Sequence, residues 1–534
     1  MRASKAATEL AVAGLVLGIL AAAAFGSHVA NGGFVSDDWP LASTQALRGF
    51  GAGVQDMTII LGSRPLMAVF QPARFALLGT SSPVPHLVLA LVLGALTALG
   101  AYALLRELRL RRVEAGCIAA LGFLFPWADS IHLWANASLH EIALVFLFGG
   151  ATLSLRSFRV ARRRSTFYAA AGTAALVASV LTYEVVAAVA LAVGALYLTR
   201  APVKRALTRW AVDAVCIGGA AVYSIVASTK PPQDLSRQID RAIDLAKSAV
   251  TLTATAVLPV RGYARLSVLI VFVVLGGALW YAARRTTDAP ALEIRRLLVV
   301  AGIALAGVVA SYAPFVPQAY WTAWKPGLEN RVNILAAFPM AVFAYCVAAL
   351  TGVLAGRIRP STRWLPPAVT IALVLAIGAS YLRTLSTDKA HWAEARTEAD
   401  AVLNVLDSSV PSLPRDSTVY VFGARGQVAP GVHVFAAPWD LHGALTLNRA
   451  DRTLAAYPVL EGGSLECGRT LITPHLTGPL GDFDLDPTEQ SVPYGLAYFV
   501  DVPTGSAVRP LSRRECRQAL RTLEPGQFRR RSTG

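Results

Sequence analysis

The chain has 534 residues, 54% of them hydrophobic and only 15% charged, with a mean hydropathy of +0.50. Soluble domains carry about 25% charged residues, so this composition excludes an ordinary soluble enzyme and makes bilayer the natural solvent. The net charge of +16 would suit a nucleic-acid partner if the basic residues were gathered on one soluble domain, but they fall between apolar runs and read as topology signals.

Apolar runs recur at 8–27, 84–105, 112–126, 138–155, 166–182, 184–200, 209–228, 264–283, 294–314, 332–355 and 365–385. A helix of about 20 apolar residues spans the roughly 30 Å of hydrocarbon in a bilayer, so these eleven runs predict about eleven transmembrane helices. The first run follows Arg2 and Lys5 and ends in small residues near Ala24, which also fits a cleaved signal peptide, although it is long for a signal h-region. The runs at 166–182 and 184–200 are short and nearly continuous.

Arg106, Arg109, Arg111 and Arg112 fill one connection; Arg156, Arg159, Arg162, Arg163 and Arg164 a second; Arg200, Lys204, Arg205 and Arg209 a third. Arg284, Arg285, Arg295 and Arg296, then Arg357, Arg359 and Arg363, follow in alternate gaps. Short cytoplasmic loops retain Lys and Arg, so the N-terminus and these gaps are expected inside, with 28–83, 127–137, 229–263 and 315–331 outside. An odd number of crossings then exports the C-terminus. The predicted fold is an α-helical polytopic membrane domain over 1–385, followed by a small extracytoplasmic α/β domain over 386–534.

In the first external segment, Asp37 and Asp38 stand side by side within about ten residues of the first helix. Adjacent carboxylates repel, so one can have a raised pKa and act as a base, or both can hold a cation; a polar turn or helix cap before Pro40 is the plainer alternative. The same segment continues through Ser63-Arg-Pro-Leu66 to Phe75 in a mixed apolar stretch too short to span, which suits an interfacial helix. Arg64 and Arg74 would then lie at headgroup depth, either gripping a phosphate or merely snorkelling.

His132, Trp134, Asn136, His140 and Glu141 line the next external connection, with no spacing that makes a good metal site. Asn136-Ala-Ser138 fits the glycosylation triplet, but in a tight loop between helices. Glu184 breaks two apolar runs, and an ionisable group there is costly enough to suggest a function unless it sits in a solvated turn. The loop Ala319 to Arg331 sets aromatics beside Lys325, Glu329 and Arg331, as an interfacial belt or as a sugar and phosphate pocket.

The tail opens with a predicted helix, Asp388 to Leu406, stopped by Pro411 and Pro414. Strands are expected at Thr418–Phe422, Val432–Phe435 and Leu496–Val500, between Gly, Pro and Asp clusters. Cys117, Cys216 and Cys346 lie in membrane runs as packing residues. Cys467 and Cys516 are the only pair in the tail, where an oxidising compartment permits a disulfide. Arg529-Arg530-Arg531 reads as a solvated end.

Taken in order, these segments resemble the GT-C superfamily of polytopic glycosyltransferases, which use polyprenyl-phosphate sugars, and among them bacterial relatives of the tetratricopeptide-linked O-mannosyltransferases. Phe34-Val-Ser-Asp-Asp38 looks like that group's first-loop acidic pair, Ser63-Arg-Pro-Leu66 like its Arg-Pro-Leu, and Pro85-His86-Leu87 like the Tyr-His-Leu that opens its second helix. Phe125-Pro126 with Trp134, Tyr183-Glu184, and Leu328-Glu-Asn-Arg331 extend the match to about residue 350. Leu89 and Leu93 replace an Asn and a His common on the family's second helix, and no tetratricopeptide repeats follow.

The resemblance implies that Asp37, or failing that Asp38, is the catalytic base, with Arg64, Arg74, His86, Glu184, Glu329 and Arg331 as substrate-binding candidates. It implies an inverting transfer, mannosyl or other, from a polyprenyl-phosphate sugar to an extracytoplasmic glycan, lipid or protein, with no certain cofactor beyond a divalent cation that the acidic pair could hold. Independently, no cytoplasmic loop is long enough for a nucleotide-sugar domain and no Gly-rich P-loop is present, so sugar used outside must arrive on a lipid. A transporter or lipid-carrier flippase, and a non-catalytic envelope glycan-binding protein, are the alternatives; the first ordinarily shows two related halves, which this chain lacks.

Overall fold

The computed structural model describes residues 2–228, 234–258, 264–285, 288–317, 327–358, 361–478, 481–482 and 491–529. The protein is a polytopic helical membrane protein carrying a small α/β unit at its C-terminal end. Among the described residues nine helices are long and apolar enough to cross a bilayer, from Lys5–Asn31 through Leu365–Ser409. Their outer faces present Leu15, Val92, Val215, Phe272, Val299 and Leu375, all exposed; such a surface is stable only against lipid.

Two of the eleven expected spans are shorter than predicted. The run at 112–126 folds as a 12-residue helix, Arg112–Phe123, ended before Pro126 and continued by single turns at Pro126–Ala128 and Ser130–Leu133. The run at 184–200 is a turn, Glu184–Val186, followed by the helix Ala187–Tyr197. At about 1.5 Å per residue neither helix spans 30 Å alone.

Ion pairs tie the basic connections together at one end of the bundle. Glu9 accepts from Arg106 (2.5 Å) and Arg112 (2.7 Å), Glu107 from Arg159 (2.8 Å) and Arg156 (3.4 Å), Glu114 from Arg296 (3.2 Å), and Asp288 from Arg357 (2.6 Å). The opposite end gathers the segment after Asn31, the connection before His140, the Tyr183-Glu184 break and the turn Gly327–Asn333.

The segment 28–83, expected outside, is more helical than the sequence suggests. Asp38–Ile60 is a helix broken at Gly49, whose φ of 79° is the left-handed conformation that only glycine adopts cheaply. Pro65–Leu78 follows as the short apolar helix that the Ser63–Phe75 stretch suggested. The expected external gap 229–263 contains the helix Leu235–Thr255.

The last span is one 45-residue helix, Leu365–Ser409, running unbroken through residue 385 and into the tail. It contains the expected helix Asp388 to Leu406 and stops just before Pro411. The tail's main sheet has Thr418–Phe422 at its centre, parallel to both Ala455–Val459 and Ala497–Asp501, with Ser506–Val508 antiparallel at the edge. All five residues of Thr418–Phe422 are buried, as a strand covered on both faces must be. The strand expected at Val432–Phe435 is only Val432–His433, because the chain leaves it for the helix Pro438–Arg449. Cys467 and Cys516 form a disulfide closing a sequence separation of 49 residues, which joins the hairpin strand Ser464–Cys467 to the terminal helix Arg513–Arg529.

Candidate active site

A cavity of about 540 Å³ opens between the segment after Asn31 and the tail, within the usual range for small-molecule sites. Asp37, Arg64, Tyr183, Asn136, His140 and Arg331 line it from the membrane domain, and Trp439 from the tail.

Local backbone explains how two adjacent aspartates diverge. Ser36 takes a left-handed φ of 49°, a tight turn that starts the helix at Asp38 and splays the two carboxylates. Asp38 turns inward, where Arg74 Nη2 meets its Oδ1 at 2.8 Å and both side chains are essentially inaccessible. The Val35 N–H donates to its Oδ2 at 3.3 Å. Asp37 turns toward the cavity, receiving the Asn136 amide at 3.4 Å and the Trp439 indole N–H at 3.2 Å. Burial pushes the Asp37 carboxyl above its ordinary value, opposed by the nearby Arg331 charge and the Trp439 bond. Burial likewise pushes Asp38 up, and there Arg74 is the opposing charge.

Arg64 stands just ahead of the helix Pro65–Leu78 and donates through Nε (2.5 Å) and Nη2 (2.7 Å) to the two oxygens of Glu184. This two-pronged pair fixes the guanidinium plane, and its carbon lies 4.8 Å from the Tyr183 ring centroid. The helix Arg162–Thr182 ends at Tyr183, in an extended conformation, so the interruption between the two short apolar runs delivers Tyr183 to the cavity and Glu184 to Arg64. His140 packs edge-on against Tyr183 at 4.4 Å.

Arg331 sits in the turn Gly327–Asn333, which two asparagines pin. Asn330 donates to Asp129 (2.6 Å) and accepts from the Ser130 hydroxyl (2.6 Å); Asn333 donates to the Trp127 carbonyl and accepts from Tyr312, each at 2.6 Å. The Arg331 guanidinium lies 5.0 Å from the centroid of Trp134, whose own N–H donates to the Val35 carbonyl at 3.0 Å.

Of the residues singled out from sequence, Asp37, Arg64 and Arg331 therefore line one cavity, and Glu184 stands behind Arg64. Asp38 and Arg74 form the buried pair beneath it. His86 is not in the lining: its ring packs against Phe34 (5.4 Å) and Phe75 (4.7 Å), and its Nε2 is 2.9 Å from the Gly79 carbonyl. Glu329 is two residues from Arg331 and outside the lining. The aromatics Tyr320, Trp321 and Trp324 with Lys325 lie outside the described residues. Among the described residues no group of His, Cys, Asp or Glu is arranged to hold a metal ion. Sequence reasoning missed Trp439, 402 residues from Asp37, where no spacing rule reaches; a Pro-Trp pair opening a helix was its only local mark.

No protein-family model and no curated protein sequence matches the chain. Solved structures align with it at low identity. An archaeal oligosaccharyltransferase, AglB from Archaeoglobus fulgidus, in complex with an inhibitory peptide and a dolichol-phosphate, is 12% identical with a TM-score of 0.40 over 84% of this chain. The chain spans 64% of that protein's length. ArnT from Cupriavidus metallidurans in the apo state is 13% identical with a TM-score of 0.38, covering 94% of both chains. The same protein bound to undecaprenyl phosphate gives 14% and 0.33 over 85% of this chain and 90% of that one. Likeness at this level carries no substrate or reaction to this chain, whose chemistry is read from its own cavity.

Proposed function

We propose that this protein is a membrane glycosyltransferase that moves a sugar from a polyprenyl-phosphate carrier to an extracytoplasmic acceptor, with inversion at the anomeric carbon. One observation carries the reading: a single cavity brings a carboxylate with a raised pKa, Asp37, together with two positioned guanidinium groups, Arg64 and Arg331.

Asp37 takes the proton of an acceptor hydroxyl as that oxygen bonds to the anomeric carbon. The bond from that carbon to the phosphate oxygen breaks, and its electron pair leaves with the polyprenyl phosphate. Arg64 and Arg331 meet the negative charge that grows on the leaving phosphate, the usual use of preorganised cations at a transition state. Glu184 keeps Arg64 in plane, and once Asp37 has taken the proton the two guanidinium groups outweigh Glu184 by one positive charge, which the leaving phosphate can use. Tyr183 and Trp439, both in the lining, supply flat faces suited to a sugar ring. The sidedness of the basic connections supports an N-terminus in the cytoplasm and a cavity and tail outside, and the disulfide fits that compartment.

The test offers membranes containing the protein a panel of polyprenyl-phosphate sugars and follows transfer of label. Transfer with an anomeric configuration opposite to the donor's supports the reading; retained configuration removes the single-displacement mechanism. Labelled carrier crossing the bilayer without sugar transfer favours a flippase instead.

A further inference from the structure

The tail does more than follow the membrane domain: it touches both halves of the cavity's charge. Its helix Pro438–Arg449 lies against the start of Asp38–Ile60, where Thr446 and Ser43 hydroxyls meet at 2.7 Å. Gly443 is pressed so closely on the first segment that a Cβ there would come within 2.5 Å of the Pro40 nitrogen. On the other side, the Leu328 N–H donates to the Gly431 carbonyl at 2.8 Å. Gly327, at φ +74°, faces that same glycine without room for a Cβ. Gly327 and Leu328 open the turn that carries Arg331.

The seating is built from beneath as well. Arg396, on the long helix Leu365–Ser409, donates to the carbonyls of Ala30 (3.0 Å) and Gly32 (2.9 Å), directly behind the turn that aims Asp37. Arg449 donates to the carbonyls of Pro411 (2.8 Å), Val410 (3.0 Å) and Leu406 (3.3 Å), fastening Pro438–Arg449 to the end of that long helix. Asp440 caps the first turn by accepting from the Ala436 and Ala437 N–H groups at 3.2 and 3.1 Å. Trp439 is thus fixed where its indole N–H reaches the Asp37 Oδ1.

We propose that the C-terminal domain is part of the catalytic apparatus, with Trp439 as a positioning residue that orients the Asp37 carboxylate and the Gly431 contact setting the turn of Arg331. This deepens the glycosyltransferase reading and rests on it for the role of Asp37 as base. The geometric claim, that Trp439 bonds to and holds Asp37, does not depend on the reaction.

The experiment uses full-length protein in nanodiscs and compares wild type, Asp37→Asn, Trp439→Phe and Trp439→Ala. Difference infrared titration identifies the Asp37 carboxylic-acid band as the one missing from Asp37→Asn. Loss of a donor to a carboxylate favours the protonated form, so Trp439→Phe should move the midpoint of that band upward. The ring is 38% exposed, and a shift of roughly one pH unit at most is expected for one bond of this kind. In the transfer assay, the acid limb of kcat/KM should move upward with it, while Trp439→Phe keeps most of the KM that Trp439→Ala loses with the ring. An unmoved infrared midpoint in folded Trp439→Phe overturns the proposal, whatever the activity. A moved midpoint beside full activity in Asp37→Asn leaves the contact standing and sinks the base assignment instead.

Discussion

Asp37 and Asp38 acquire different chemistry because Ser36 turns left-handed between the irregular segment after Asn31 and the helix. Asp38 belongs to a buried pair with Arg74, and breaking such a pair leaves an uncompensated charge at a cost of about 3–5 kcal/mol. Asp38→Asn should therefore lower the thermal midpoint of the detergent-solubilised protein clearly, and Arg74→Ala likewise. Asp37→Asn should leave that midpoint nearly unchanged. Because its raised carboxyl must be ionised to accept a proton, transfer should fall as pH drops through a value above the ordinary aspartate pKa of about 3.9, visible in the acid limb of a kcat/KM profile. Arg64→Ala and Arg331→Ala should each reduce kcat by about 10²–10³-fold, the usual loss for a charge-stabilising donor. Arg64→Lys should rescue little, because one ammonium cannot reproduce the two bonds to Glu184; steady-state kinetics at saturating donor reads all three.

At the scale of elements, helix contacts turn distant loops into one site. Gly443→Val would wedge the tail helix away from Trp39 and Pro40, and should lower transfer while the isolated fold of the tail, followed by proteolysis of its core, survives. Removing the disulfide with Cys516→Ala should cost the tail about 2–4 kcal/mol, read as earlier local unfolding in hydrogen exchange.

The long apolar runs and the central strand Thr418–Phe422 were legible because each leaves a local mark, hydrophobic length or β-branched residues; Asp37, one of two adjacent carboxylates, and Arg64 and Arg331, which could grip a phosphate, were candidates that the fold brings to one cavity. Asp38–Ile60 was not, since Gly49, Gly51 and Gly53 weaken a helical reading and packing against Pro438–Arg449 and Pro65–Leu78 holds it. The short helices Arg112–Phe123 and Ala187–Tyr197 were overestimated because hydropathy does not register the break before Pro126 or the extended residue at Tyr183. His86, conspicuous in the motif, is an aromatic-packed ring beneath the site, a distinction that needs three dimensions.

For the whole molecule, sidedness is the organising fact. Ion pairs gather the basic connections at one end and the cavity forms at the other, so on the proposed reading donor and acceptor meet at the end away from those connections. With Cys117, Cys216 and Cys346 replaced, a membrane-impermeant maleimide should label Arg415→Cys in intact cells and Arg163→Cys only after permeabilisation; the reverse pattern would invert the topology. The most direct test of the central claim is sugar transfer from polyprenyl-phosphate donors by purified wild-type protein and folded Asp37→Asn at matched concentration. A fall of about 10²–10⁴-fold in kcat in the variant is predicted for loss of a general base; transfer undiminished by the substitution would contradict it.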